Sequence, residues 1–186
     1  MVDVSTGEIV SSFRVPIEPS RPGAGLMINR LGAFPDGKTA WIHVSYRGLT
    51  IVDLATGEKL AEHKNREIWD VTCSQQGQLG LGLRTCLEIR DRNLNLVRKF
   101  SSEFERRVLS VCFSPNGHRI FGVGEQRILR AYDTTTGVNV LTEAIDHSGL
   151  LLPSHSLRWH GTSLVVSSGA SDYYLEAAGL NFERLE

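Results

Sequence analysis

The chain has 186 residues, of which 41% are hydrophobic and 22% charged, enough apolar material to bury a core. Twenty Lys and Arg against 21 Asp and Glu leave a net charge of −1, so no global field favours nucleic acid or a membrane surface. No run approaches the roughly 18 apolar residues of a membrane span.

Taken in chain order, the first residues, MVDVSTGEIV, show no basic flank followed by an apolar stretch, so no secretory signal is expected. Val2-Asp3-Val4-Ser5-Thr6-Gly7 mirrors Val52-Asp53-Leu54-Ala55-Thr56-Gly57 further on, and Glu8–Val15 then reads as one more strand. Residues 16–25, PIEPSRPGAG, hold three prolines and two glycines and form a loop. From Met27 the pattern becomes regular. Short stretches of period-2 alternation are separated by turn residues, clearest from Val108 to Gly137. There Val108–Ser114 runs into Pro115-Asn116-Gly117, Arg119–Val123 into Gly124-Glu125-Gln126-Arg127, and Ile128–Tyr132 into Asp133-Thr134-Thr135-Thr136-Gly137. A fourth strand, Val138–Glu143, follows.

This unit recurs. Turn glycines stand at Gly37, Gly77, Gly117 and Gly161, spaced by 40, 40 and 44 residues. A trailing acidic marker follows in step at Asp53, Asp91, Asp133 and Glu176. A period of about 40–45 residues with four strands per unit marks the blades of a β-propeller. The expected architecture is a single all-β domain over 1–186. It comprises a half blade at 1–15 and four-stranded antiparallel blades at about 27–62, 67–100, 107–144 and 151–185. Four and a half blades do not obviously close a ring, so an incomplete or open propeller is expected. Unpaired edges of that kind invite association.

The motifs resemble the WD-repeat family. Phe113-Ser114-Pro115-Asn116-Gly117 and Tyr132-Asp133 with Thr136-Gly137 match its repeat closely. Phe34-Pro35-Asp36-Gly37 and Val52-Asp53 with Thr56-Gly57 match with one residue lost. The resemblance covers nearly the whole chain, although the family's Gly-His pair and Trp-Asp dipeptide are missing from most units. It implies a non-catalytic scaffold for protein–protein interaction. It also picks out the face that carries the second-to-third and blade-to-blade loops as the place to look for binding.

On that face three second-to-third loops each carry an arginine at nearly matched offsets: Arg47 beside Tyr46, Arg84, and Arg127. The connections between blades add Arg66, Arg106 and Arg107, with Trp69 and Phe104 nearby. Guanidinium forks suit carboxylates and phosphates, and aromatic neighbours suit peptide stacking, so the expected ligand is an acidic or phosphorylated protein segment. The expected partner is another protein chain or the remainder of a larger propeller, with self-association through open blade edges as one form of it. The alternatives are a propeller-type hydrolase or quinoprotein-like oxidoreductase, and nucleic-acid binding through the arginine rim.

No catalytic constellation is expected. His147, His155 and His160 fall in one unit, but His160 sits in a turn at the opposite end from His147, and a strand is about 20 Å long. No metal and no cofactor are therefore expected. Asp36, Asp53 and Asp133 are expected to bond turn backbone rather than to act as acid and base. Gly80, Gly82, Gly122 and Gly124 are expected where strands approach a crowded centre. Cys73, Cys86 and Cys112 lack disulfide or zinc spacing and read as reduced thiols, fitting a cytoplasmic protein.

Overall fold

The computed structural model describes residues 27–100, 104–145, 155–160, 163–168 and 171–176; between 155 and 176 the side chains described are those of 157–159 and 163–166. The expected half blade at 1–15, the loop at 16–25 and the last strand of blade four lie outside these residues. So do Asp146, His147 and Gly161. The chain divides into two compact units between Arg66 and Glu67.

In the first unit, β1 (Ile28–Ala33), β2 (Thr39–Val44), β3 (Gly48–Asp53) and β4 (Lys59–His63) form one antiparallel sheet in sequence order. The turns are built as their residues dictate. Asp36 Oδ1 accepts from the backbone nitrogens of Lys38 (2.9 Å) and Thr39 (3.2 Å), and Gly37 takes φ 65°. Asp53 Oδ1 accepts from those of Ala55 (2.9 Å) and Thr56 (2.8 Å). On one face of the sheet Ala40, Ile42, Val44 and Val52 form a buried cluster. On the other, the Trp41 indole lies over Gly32, so close that a Cβ there would sit 2.6 Å from the ring.

In the second unit, β5 (Asp70–Cys73), β6 (Leu79–Gly82), β7 (Leu87–Arg90) and β8 (Leu96–Phe100) make one four-stranded meander. A second meander contains β9 (Val108–Phe113), β10 (Arg119–Gly124), β11 (Ile128–Asp133) and β12 (Asn139–Ala144). A third sheet contains β13 (His155–His160), β14 (Ser163–Ser168) and β15 (Ser171–Glu176). The first of these blades is shortest: β5, β6 and β7 have four residues each against six in the matching strands of the other full blades, and its last turn is also tighter. Leu94 donates its N–H to the Asp91 carbonyl and takes φ 67° itself. In the other two full blades, Gly57 and Gly137 close a loop one residue longer.

Neighbouring blades of this unit pack face to face. Leu87, Ile89, Phe100 and Phe104 meet Val108, Val111, Phe113, Ile120 and Tyr132. Beyond them Cys112, Phe121, Val123, Leu129 and Ala131 meet Leu157, Leu164 and Val166. Full burial of each such side chain stabilises by about 1.5–3 kcal/mol. Aromatic contacts recur at both layers: Phe100 and Tyr132 at 4.9 Å between centroids, and Phe121 and Trp159 edge to face at 5.7 Å. Gly80 is small for the sake of the next blade rather than of a crowded centre. A Cβ there would stand 2.7 Å from Ile120 Cδ1 and 3.0 Å from Phe113 Cε2.

Polar contacts bind the same blades. Asp70 Oδ2 accepts from Ser110 Oγ and from the Val111 nitrogen, both at 2.8 Å, and Ser110 Oγ in turn accepts from the Leu157 nitrogen at 2.9 Å. At the turn end, Gln76 Nε2 donates to the Asn116 carbonyl (2.9 Å) and Arg98 to the carbonyls of Thr135 (2.6 Å) and Thr136 (3.3 Å). Trp159 Nε1 donates to the Phe113 carbonyl at 2.7 Å.

Candidate interaction surface

Within the second unit, three backbone bonds gather the loops of one end. The Trp69 nitrogen donates to the Gly82 carbonyl (2.8 Å), that of Val108 to Leu83 (2.9 Å), and that of Glu125 to Arg107 (3.0 Å). These bonds fix the connection before β5, the β6–β7 loop, the connection before β9 and the β10–β11 loop against one another. Trp69, Arg84, Arg107 and Glu125 therefore share one end of the blades.

Their side chains form a mixed-charge surface. The Arg107 guanidinium lies 4.2 Å from the centre of the half-exposed Trp69 ring and 3.4 Å from Glu125 Oε1. Arg84 faces Glu67 at 3.9 Å, and Gln126 Nε2 donates to Glu105 Oε2 at 3.0 Å. Exposed pairs of this kind contribute at most about 1 kcal/mol, so they remain available for exchange with a ligand. Arg106 is exposed beside them. Arg127 is half-buried with φ 63°, and its nitrogen donates to the Gly124 carbonyl to close the β10–β11 turn.

Phe104 departs from expectation. It is not a stacking residue at the surface but a buried core side chain. The reason lies in β10, where Gly122 and Gly124 leave a hollow. A Cβ at either would stand 3.3 Å or 3.0 Å from the Phe104 ring, which fills the space. Two glycines separated by one residue in a strand, opposite an aromatic in the preceding connection, are the signal in the sequence that marks this packing.

In the first unit Tyr46 is exposed at the tip of the β2–β3 turn with φ 58°. Arg47 donates its backbone N–H to the Val44 carbonyl at 3.1 Å, and one terminal nitrogen of its side chain is buried without a hydrogen-bond partner. Arg66 is exposed at the end of that unit. Among the described residues, no group of three or more His, Cys, Asp or Glu could hold a metal ion.

Solved structures provide the comparison. The WD40 repeats of RRP9 match over 84% of this chain with a TM-score of 0.68 and 14% sequence identity, and the structure of U3-55K over 83% with a TM-score of 0.63 and 14% identity. The chain has the WD40-repeat fold. It spans about half the length of those two WD40 structures, 53% of each. No family model and no curated protein matches the sequence.

Within the WD40 repeat, Tyr132-Asp133 holds the place of the Trp-Asp pair. Tyr132 is buried against Phe100, and Asp133 Oδ1 accepts from the nitrogens of Thr135 (3.0 Å) and Thr136 (2.7 Å). The Thr136 N–H chiefly holds the Asp133 carboxyl below its ordinary range, against opposing desolvation. The same turn chemistry lowers Asp53, again led by Thr56 N–H, and Asp91, led by the Asn95 side chain. These WD40 turn carboxylates are structural caps.

Proposed function

We propose that this chain is a non-catalytic WD40-type scaffold that binds a protein partner through the loop end of its second unit. One observation carries the reading: Trp69, Arg84, Arg107 and Glu125, drawn from four separate loops, stand on one end, held by backbone bonds. An aromatic ring with a guanidinium stacked on it is an anchor well suited to a peptide. Arg84 and Arg107 can leave weak surface pairs, and exposed Arg106 can join them, to fork onto carboxylates or phosphate, so an acidic or phosphorylated segment is the ligand that best fits. That Cys73, Cys86 and Cys112 are not in disulfides supports placement in a reducing compartment such as the cytoplasm.

The test is charge reversal. The triple variant Arg84→Glu, Arg106→Glu, Arg107→Glu alters exposed side chains and is expected to keep the wild-type circular dichroism. In cross-linking and pulldown it loses the partners that the wild type captures, and more so for phosphorylated ones. An unchanged set of partners overturns the rim as the binding site.

A further inference from the structure

Three carboxylates stand among the arginines of the loop end, and they are held differently. Glu105, next to Arg106 in the chain, gives its Oε2 to the Gln126 side-chain amide at 3.0 Å. Glu67 faces Arg84 at 3.9 Å, with the two side chains 59% and 70% exposed. Glu125 makes the closer ion pair. Its Oε1 lies 3.4 Å from Arg107 Nη1, its side chain is only 28% exposed, and its backbone N–H donates to the Arg107 carbonyl at 3.0 Å. Side chain and main chain of Glu125 are thus both tied to the same arginine.

The Trp69 ring holds that arginine as well, with the guanidinium carbon 4.2 Å from the ring centre. A guanidinium placed over a ring still binds an oxyanion through its N–H groups. At Arg107 the chain's own carboxylate fills that role. An incoming carboxylate therefore exchanges like for like there, and its net gain comes from the other contacts of the rim, with Trp69, Arg84 and Arg106. A lone oxyanion gains little from such a surface, whereas a segment that reaches several of these side chains at once is retained.

We propose that Glu125 is a built-in competitor: its carboxylate occupies the Arg107 guanidinium in the free protein and is displaced when the oxyanion of a partner segment, carboxylate or phosphate, binds there. The inference rests on the reading of the loop end as an anion-binding surface and adds the residue that restrains it. An exposed pair of this kind weakens a rival anion by up to about fivefold.

Two-dimensional NMR titration of the full chain tests it, reading the Trp69 indole N–H and Arg107 Nε–H signals. Inorganic phosphate and a capped tetraglutamate are the probes, and they separate phosphate from carboxylate as the preferred oxyanion. Glu125→Gln keeps the size of the side chain and the backbone bond to Arg107 while removing the charge. It is expected to tighten both probes by about two- to fivefold. Glu105→Gln removes the same charge from a side chain bonded to Gln126, and is expected to give a smaller gain. Equal gains from the two variants would reduce the effect to net charge and overturn the proposal. So would a Glu125→Gln protein with wild-type or weaker affinity, or one that takes up neither probe. In each of these cases the charge-reversal pulldown still decides the scaffold reading, because it compares captured partners and leaves Glu125 in place.

Discussion

Ser110 Oγ stands 2.8 Å from Asp70 Oδ2 and 2.9 Å from the Leu157 nitrogen, so one hydroxyl links three successive blades. It donates to the carboxylate and accepts from the amide. Asp70, on the preceding blade, acts in the same way by accepting from Val111 N–H. Both residues are buried. Ser110→Ala therefore strands the Leu157 donor and removes one donor from the carboxylate, and is expected to cost about 1–3 kcal/mol. Asp70→Ala strands the Ser110 hydroxyl and the Val111 amide together, and costs more than Ser110→Ala. A double-mutant cycle by urea denaturation checks the coupling; strictly additive losses would show that the two groups act separately.

Gly48 offers a sharper test of local geometry. Its φ is 115°, and a Cβ on it would run into the His63 carbonyl of the paired strand. Gly48→Ala has neither an allowed backbone conformation nor room, so a loss exceeding about 1 kcal/mol is expected, with the sheet β1–β4 affected first. Gly37→Ala at φ 65° meets nothing within 4 Å and suffers from conformation alone. Thermal melts of the two variants rank them, and an equal loss would remove the clash from the explanation.

The capped aspartates set the response to acid. Asp53, Asp91 and Asp133 titrate below their ordinary range in the folded chain, because backbone and side-chain donors hold the charged form. The unfolded chain takes up these protons first, near pH 4. The stabilisation is fully present above that pH and is lost as pH falls through the lower folded values. The melting temperature is expected to drop between about pH 4 and pH 2, and less so in Asp53→Asn and Asp133→Asn. Superimposable acid profiles for these variants and the wild type would count against the caps.

The blades could be read from the sequence because turn chemistry is local. Asp36, Asp53 and Asp133 bind backbone two or three residues away, and Gly117 and Gly137 supply positive φ where the chain reverses. The turn ending at Leu94 was less visible, since an apolar residue takes the left-handed position there and the Thr-Gly marker is absent. The loop end was only partly legible. Matched offsets located Arg84 and Arg127, but depth depends on the neighbouring blade. Phe104 is buried because Gly122 and Gly124 lie 18 and 20 positions further along, so the signal is legible only when the connection and the later strand are taken together.

Gln76, Arg98, Trp159, Asp70 and Ser110 each reach the neighbouring blade through its main chain. A carbonyl or amide is the same chemical group whatever residue bears it. Mutation on the receiving side therefore leaves such a link intact so long as the strand keeps its path. Architecture secured in this way tolerates replacement of the side chains on the receiving strands. That helps to explain how a chain sharing 14% of its residues with RRP9 can retain the same arrangement of strands.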